Sequence, residues 1–597
     1  MSDFKTTLCK DSTIADITSE LEYQVKSGAA QTTYQTFGAS SFSNSALNIN
    51  IQCPSESVVM GRDVLLTSAL TFTVRVGPGV PDGQQAFQYG LDMSLAAFPL
   101  ASIMTNLSCS INNTTCSINL QDCLPSLLRL NNSRELYRYN GMTPSLPDQV
   151  YASYGDAVGS ANNPMAGIKN GSYDVDQMPR GAFPCKISIY RKDVNGDVID
   201  SSPVSAGLDD TWDVVISTSV SEPIFLSPFI FGQPEYNSQG ILGVNNMVFT
   251  MNIDTSLKRM FCTGLKTNAG AVIPSSIVPG TTAYAAIAAG GAGVRAYSAQ
   301  DEIVADQLLF KGTNFGAIQA PNQPSLLVKF LSVQVSDLIQ SKNIVPYCSY
   351  PRYVSSTTGG ASLAPGGRTT ITSNSLQINM LPDVFIISVR KPLGSCTISD
   401  PNFFLKIQSI SVNLNNQSGL LSSATPEQLF RLSQKNGSTQ NWFEFCGVSV
   451  GNASEGQVSG IGTQIGTTGS LLILDPAYDL SLPDYLSSGS LGNYNFQFQI
   501  QVYNQTNQAF VPEVCVICVN SGVMVTDRGM TTTMTGILTK QMVLDAKSKP
   551  VDTTSAESQR LIGGSMYNMG SSVKQHHNKT APSSAAKRSS KLDGFLM

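Results

Sequence analysis

At 597 residues the chain exceeds the size at which one hydrophobic core keeps growing, so two domains of about 200 to 250 residues each are expected. Charged residues make up only 13%, against 49 glycines and 30 prolines, which excludes a protein of long solvent-facing helices and favours strands with many turns. A formal net charge of −5 excludes a globally basic nucleic-acid binder, so any such contact must be local.

Residues 1–30 are polar, with a weakly amphipathic piece at 14–25, and read as an N-terminal arm outside the main fold, of the kind that grips a neighbour. They hold no apolar core for a signal peptide, so the 12 cysteines are expected to be buried free thiols of a reducing compartment. From Thr32 the pattern turns to strands: Tyr34 and Phe37, then Leu47, Ile49 and Ile51, then 64–76 with Phe72, Val74 and Val76 alternating. Segments 77–97 and 140–184 are rich in Gly, Pro, Asn and Asp and read as long loops, which in compact domains commonly carry function or contacts. Between them Leu107, Cys109 and Ile111 alternate into Asn112-Asn113-Thr114; a short helix is expected at 127–130 and an aromatic strand at 136–141. Asn195-Gly196, flanked by 187–194 and 197–199, is the strongest hairpin signal in the chain. Strands at 212–220 and 247–253 complete a first domain over 31–263.

Residues 264–300 are rich in Ala, Gly, Ser and Thr and read as a linker or exposed loop, which places the domain boundary there. The second domain, 301–526, opens like the first, with strands at 347–354, 370–380 and 383–390. Ile410, Val412 and Leu414 then alternate into Asn415-Asn416-Gln417. Leu429-Phe430-Arg431-Leu432 matches Leu127-Leu128-Arg129-Leu130, and Trp442-Phe443-Glu444-Phe445 matches the aromatic strand at 136–141. Thr425-Pro426-Glu427-Gln428 is a capping box with proline at the first helical position; the first copy has no such cap. Three blocks in the same order at nearly constant spacing read as an internal duplication, hence two like domains. Strands at 471–474, 494–502, 514–519 and 523–525 close the second domain, and 527–597 reads as a C-terminal tail with a helix-like piece at 537–546. No stretch of about 18 apolar residues occurs anywhere, so no membrane span is expected.

Catalytic chemistry finds no footing. The only histidines, His576 and His577, are neighbours in the polar tail, which excludes a Ser-His-Asp or Cys-His pair in the folded body and a two-His metal site. Cys515 and Cys518 have redox or zinc spacing, but residues three apart in a strand face opposite ways, so they read as core. Asp193, Asn195 and Asp197 begin like a calcium loop, yet the glycine falls at Gly196 and no glutamate closes the loop. The Gly-rich piece 289–293 lacks the lysine of a phosphate loop. No catalytic, cofactor-binding or metal-ligating residue is assigned. In the tail, Leu561-Ile562-Gly563-Gly564-Ser565 is either an ordinary flexible spot or a double glycine able to lie flat in a narrow protease cleft. Beyond it come Lys574, Lys579, Lys587, Arg588 and Lys591 against a single acid, Asp593, the only basic part of the chain.

An all-β, duplicated chain without a catalytic set resembles the double jelly-roll major capsid proteins of virophages and Polinton-like viruses, whose broader lineage includes the adenovirus hexon. The two strand-turn-helix copies, Ser41-Phe42-Ser43 and Phe98-Pro99-Leu100 carry the resemblance, over roughly 30–565. It implies two tandem jelly-roll β-sandwiches with short helices in loops. Three chains would form a pseudo-hexameric capsomer that tiles an icosahedral virion shell around a DNA genome. It implies as partners other copies of the chain, a penton-type minor capsid protein and a viral maturation cysteine protease. Leu561 to Ser565 also resembles the substrate pattern of adenovirus-type proteases, with the cut between Gly564 and Ser565. The basic tail would face inward, towards genome phosphates or assembling subunits. Synthesis is expected in the host cytoplasm or viral factory. The competing readings are a β-sandwich adhesin or spike that binds glycan or receptor through its loops, and a carbohydrate-active enzyme, which needs an acid pair in a cleft.

Overall fold

The computed structural model describes most residues of 30–130 and 211–539, with short strands between 168 and 200. Residues 1–29, 131–167 and 540–597 lie outside it, as do internal stretches of which the longest are 77–92, 174–184, 201–210, 268–293, 310–322 and 451–463.

The first sandwich takes β1 (Ala30–Gly38), β2 (Ser41–Phe42), β3 (Ala46–Gln52), β4 (Val58–Met60), β5 (Leu65–Val76), α1 (Pro99–Ile103), β6 (Met104–Ile111), β7 (Thr114–Ile118) and α2 (Leu120–Leu127). It continues through β8 (Cys185–Lys192), β9 (Val198–Asp200), β10 (Thr211–Pro223), β11 (Asn246–Ile253), β12 (Val304–Leu309) and β13 (Ser325–Val333). One sheet runs β1-β13-β5-β10-β8-β9, with β4 added to β13 and β12 to β5; the facing sheet runs β2-β3-β11-β6-β7. Period-two patterning decides which faces meet. Leu47, Ile49 and Ile51, then Met247, Phe249 and Met251, then Leu107, Cys109 and Ile111 all point inward, with Phe249 opposite both Ile49 and Cys109.

Because β12 and β13 hydrogen-bond into this first sheet, the first sandwich continues to Val333. The boundary expected within 264–300 is therefore corrected to the short interval between Val333 and Lys342. Its Ala- and Gly-rich composition marked a connection inside the first domain, because a strand returning to pair with β1 and β5 leaves no composition signal in the loop before it.

The second sandwich takes β14 (Lys342–Ser349), β15 (Arg352–Ser356), β16 (Arg368–Thr372), β17 (Leu376–Met380), β18 (Val384–Arg390), β19 (Lys406–Leu414), β20 (Gln417–Leu420), α3 (Pro426–Lys435) and α4 (Trp442–Cys446). It closes with β21 (Leu472–Leu474), α5 (Pro476–Asp479), β22 (Ser490–Tyr503), β23 (Glu513–Asp527), β24 (Met530–Thr535) and β25 (Leu538–Thr539). Its sheets run β14-β23-β18-β21 and β16-β22-β19-β20. These are the first sandwich's orders β1-β13-β5-β10 and β3-β11-β6-β7 repeated strand for strand. Eight strands per domain in that order make a jelly roll, present twice.

The asparagine turns read as the duplicated signal share one local geometry. Asn112 and Asn415 both take left-handed backbone, φ 52° and 49°. The backbone N–H of Asn112 donates to Asn246 O and that of Asn415 to Asn495 O, both at 2.9 Å. The side-chain Oδ1 of Asn112 accepts from Asn245 N at 2.8 Å, and that of Asn415 from Asn495 N at 2.9 Å. Asparagine suits the site because its short amide tolerates the left-handed region and bonds locally.

The Thr425–Gln428 capping box is present on α3, with Gln428 N to Thr425 Oγ1 at 3.4 Å and Thr425 N to Gln428 Oε1 at 3.0 Å. In the first copy the helix ends where it was expected to begin, since α2 covers Leu120–Leu127 and Leu128 to Leu130 form a turn. Trp442 to Phe445, expected as a strand, is the helix α4. Asn441 caps it, accepting from Glu444 N at 2.9 Å while Glu444 accepts from Asn441 N at 2.8 Å, and Gly447 ends it at φ 72°. Caps at both ends outweigh the aromatic preference for strand. The tail expected from 527 starts later, because β24 pairs with β23 and the two-residue β25, where helix was expected, runs parallel to β22. The aromatic stretch at 136–141 and the turn at 193–197 lie outside the described residues.

Candidate functional site

The feature that most distinguishes this fold is the joint between the sandwiches. Strands β18, β21 and β23 are apolar without alternation, and the structure shows why. Phe385, Ile387, Val389, Leu472, Leu474, Val514, Val516 and Cys518 face the second core. Ile386, Ile473, Cys515, Ile517 and Met524 face the other way, into the core of the first sandwich, where Val345 and Tyr347 of β14 join them. A sheet buried on both faces needs apolar residues at every position. Cys515 and Cys518 thus lie in different cores, as their strand spacing implies, and both are free thiols. Burial pushes the Cys518 thiol up to about 12 and that of Cys515 to about 11, so both are poor nucleophiles at neutral pH.

Charged side chains complete the joint. Asp122 of α2, buried, takes Arg352 Nε at 2.7 Å on one carboxylate oxygen and the Arg390 guanidinium on the other. Arg390 also donates from Nε to Glu513 at 2.9 Å. One carboxylate of the first sandwich is thus shared by two arginines of the second. Nearby, Thr439, in the connection between α3 and α4, donates its backbone N–H at 2.8 Å and its hydroxyl at 2.5 Å to Arg129 O at the end of α2. Burial lowers the Arg129 guanidinium to about 10, with its face 5.5 Å from the Phe404 ring centroid.

On the other flank β24 clamps the turn of the first sandwich. Asn112 Nδ2 donates to Thr531 Oγ1 at 2.9 Å, Thr531 N donates to Asn113 Oδ1 at 2.9 Å, and the Thr114 hydroxyl donates to Thr531 O. Thr531 is fully buried. Each sandwich therefore contributes hydrogen-bonding groups that the other satisfies, and separating them would break these bonds.

A second buried carboxylate, Glu222 at the end of β10, accepts from Leu100 N at 2.8 Å and Ala101 N at 2.7 Å at the start of α1. Burial pushes its carboxyl up to about 7, against the two backbone donors. This explains Phe98-Pro99-Leu100: Phe98 is left-handed and buried, and Pro99 starts a helix whose free amides the carboxylate takes.

Among the described residues no group of His, Cys, Asp and Glu could hold a metal ion, and no helix is long and apolar enough to cross a membrane. The sequence-expected sites Leu561, Ile562, Gly563, Gly564 and Ser565, and the basic residues Lys574, Lys579, Lys587, Arg588 and Lys591, lie outside the described residues. Sequence reasoning missed the Asp122, Arg352, Arg390 and Glu513 cluster. The available signal was Arg390 and Glu513 each abutting an unbroken apolar strand, where a charge needs a partner. Large apolar side chains remain outside the joint: Tyr34, Phe42, Phe443, Tyr478, Met530 and Met534 are all exposed.

Comparison with known proteins agrees with this division. The family model described as Sputnik virophage major capsid protein 1st domain matches residues 2–331, and that described as Major capsid protein V20 C-terminal domain matches 350–522. The interval between them brackets the junction of the two sandwiches. The putative capsid protein V20 of Sputnik virophage is 25% identical over 564 residues, covering 92% of this chain and 83% of that protein. A chain in the cryo-EM structure of the Sputnik virophage aligns with a TM-score of 0.69 at 22% identity, over 92% of this chain and 96% of that one. The crystal structure of the mavirus major capsid protein aligns with a TM-score of 0.58 at 16% identity, over 87% and 93%.

Proposed function

The chain belongs to the Sputnik virophage major capsid protein family, and from that premise we propose that three copies assemble into a pseudo-hexagonal capsomer that tiles an icosahedral shell around a DNA genome. The observation that carries the reading is the pair of like sandwiches locked through a doubly buried sheet. Such a block presents two similar units at a fixed angle, and a threefold axis then generates six. The same block has no use for a catalytic group, and its relatives are structural capsid proteins.

The finer points of the proposal concern the termini and partners. Residues 1–29 tie neighbouring copies together, a penton-type protein fills the vertices, and a viral maturation cysteine protease cuts between Gly564 and Ser565. The segment with Lys574, Lys579, Lys587, Arg588 and Lys591 faces inward during assembly, where its charge suits nucleic acid phosphates. Negative-stain imaging of the expressed protein tests the central part, with trimers of hexagonal outline expected and a monodisperse monomer counting against it. Intact mass of protein from particles tests processing, with a C-terminus at Gly564 expected and full-length chains contradicting it.

A further inference from the structure

The joint inside the chain is heterologous, setting one kind of surface on the first sandwich against a different kind on the second. The first sandwich gives its asparagine turn and α2, through Asn112 and Asn113 at Thr531 and Asp122 at Arg352 and Arg390. The second gives the outer face of its sheet β14-β23-β18-β21, with Ile386, Ile517 and Met524 against the first core. Because the strand orders repeat, each sandwich carries both kinds of surface, and one of each is left over.

The leftover turn-and-helix side belongs to the second sandwich. Asn415 shares the local geometry of Asn112, yet it is exposed where Asn112 is half-buried. Asn112 Nδ2 donates across the joint to Thr531, whereas Asn415 Nδ2 has no partner among the described residues. The helices differ in the same sense: α2 is almost wholly buried, while α3 shows Gln428, Arg431 and Gln434 to solvent. On α4, packed against α3 through the Trp442 and Phe430 rings at 5.3 Å, Phe443 is 52% exposed. The leftover sheet face belongs to the first sandwich. It carries Tyr34, 63% exposed, opposite Lys329 of β13, with the paired hydroxyls of Thr67 and Ser221 and of Thr71 and Ser217 beyond them.

We propose that these two surfaces meet between copies: the Asn415 turn, α3 and α4 of one chain dock on the outer face of β1-β13-β5-β10 of the next. This rests on the capsomer reading and assigns its contact. A second copy is the occupant because the same pair of surfaces already joins the two sandwiches of one chain, while Tyr34, Asn415, Arg431 and Phe443 stay exposed in the chain's own fold. A contact between unlike surfaces repeats in one direction until the rotation closes a ring. Three chains then alternate intrachain and interchain joints through six sandwiches. The chemistry fits a contact made after folding. Hydroxyls and a lysine keep the sheet face wetted in the free chain, where a face like that of Ile386 and Ile517 would leave a large exposed apolar patch.

Two variants of the full-length protein test it, each altered only at exposed positions. The sheet-face variant combines Tyr34→Glu and Thr36→Glu, and the helix-side variant combines Arg431→Glu and Phe443→Glu. Each is expected to melt at the wild-type temperature and to run as a monomer in native mass spectrometry. Mixed in equal amounts, one of them heavy-isotope labelled, they are expected to form dimers holding one of each, since one intact pair of surfaces remains. Assembly should stop there, because the ring cannot close. Amide exchange at 415–420, unaltered in the sheet-face variant, is expected to run about tenfold faster in that variant than in wild-type trimers. Hexagonal trimers from either variant, or dimers formed within one variant alone, would overturn the surface assignment and leave the capsid reading standing. A monomeric wild type would overturn both.

Discussion

The sheet β14-β23-β18-β21 and its counterpart β1-β13-β5-β10 have one strand order and opposite surroundings. In the second sandwich, neighbouring residues Ile386 and Ile387 lie in different cores. In the first, β5 turns Leu66, Leu70 and Phe72 inward while Thr67, Thr71 and Thr73 on its other side are only half-buried; Thr71 Oγ1 lies 2.9 Å from Ser217 Oγ of β10 and Thr67 Oγ1 lies 3.4 Å from Ser221 Oγ. The same fold thus makes a joint where both faces are apolar and an ordinary outer wall where one face carries hydroxyls. The two copies form a single block because one face of one sheet is apolar where its counterpart carries hydroxyls.

The largest expected effect comes from breaking the joint's charge cluster. Asp122→Ala leaves Arg390 and Arg352 facing each other without their shared carboxylate, and should cost about 3–5 kcal/mol in denaturant unfolding. Next, Ile386→Ala and Ile387→Ala should each cost about 2–5 kcal/mol, since both side chains are fully buried. On the outer wall, Thr71→Ala should cost only about 0.5–1.5 kcal/mol. An Ile386→Ala cost as small as that of Thr71→Ala would show that the first core does not lie against β18.

These comparisons also show what was legible in the sequence. The duplication could be read because Asn112 and Asn415 are held by the same local geometry, and local geometry leaves local signals. The Thr425 to Gln428 cap was legible for the same reason. Trp442 to Phe445 was misread because aromatic residues favour strands, although Asn441, Glu444 and Gly447 carried a complete set of helix signals. The end of the first domain was missed because β13 returns to β1 across roughly 300 residues of chain, a pairing that periodicity cannot see. The Asp122 cluster was illegible in the same way: each charge is ordinary in its own segment, and only the approach of two domains pairs them.

Glu222 offers a pH-dependent test of the first sandwich, because its buried carboxylate is held by the backbone amides of Leu100 and Ala101 at the start of α1. Burial raises its carboxyl from 4.5 to about 7 on folding, so the stability it contributes is fully present below 4.5 and is lost as pH rises through about 7. Stability of the first sandwich should therefore rise as pH falls from about 7 towards 4.5, by at most roughly 1.4 kcal/mol per pH unit for this one proton. Glu222→Gln should flatten that slope in denaturation series across pH, and an unchanged slope would remove Glu222 as its source. A similarly small effect is expected at the α4 cap, where Asn441→Ala should cost about 1 kcal/mol. A null result there would question the helix at Trp442–Cys446.

The doubly buried sheet is what makes two jelly rolls one cooperative block, and differential scanning calorimetry of the isolated protein, beside Asp122→Ala, measures this most directly. A single transition for the wild type that separates into two for the variant is the predicted result. Two independent transitions in the wild type, unaffected by Asp122→Ala, would contradict it.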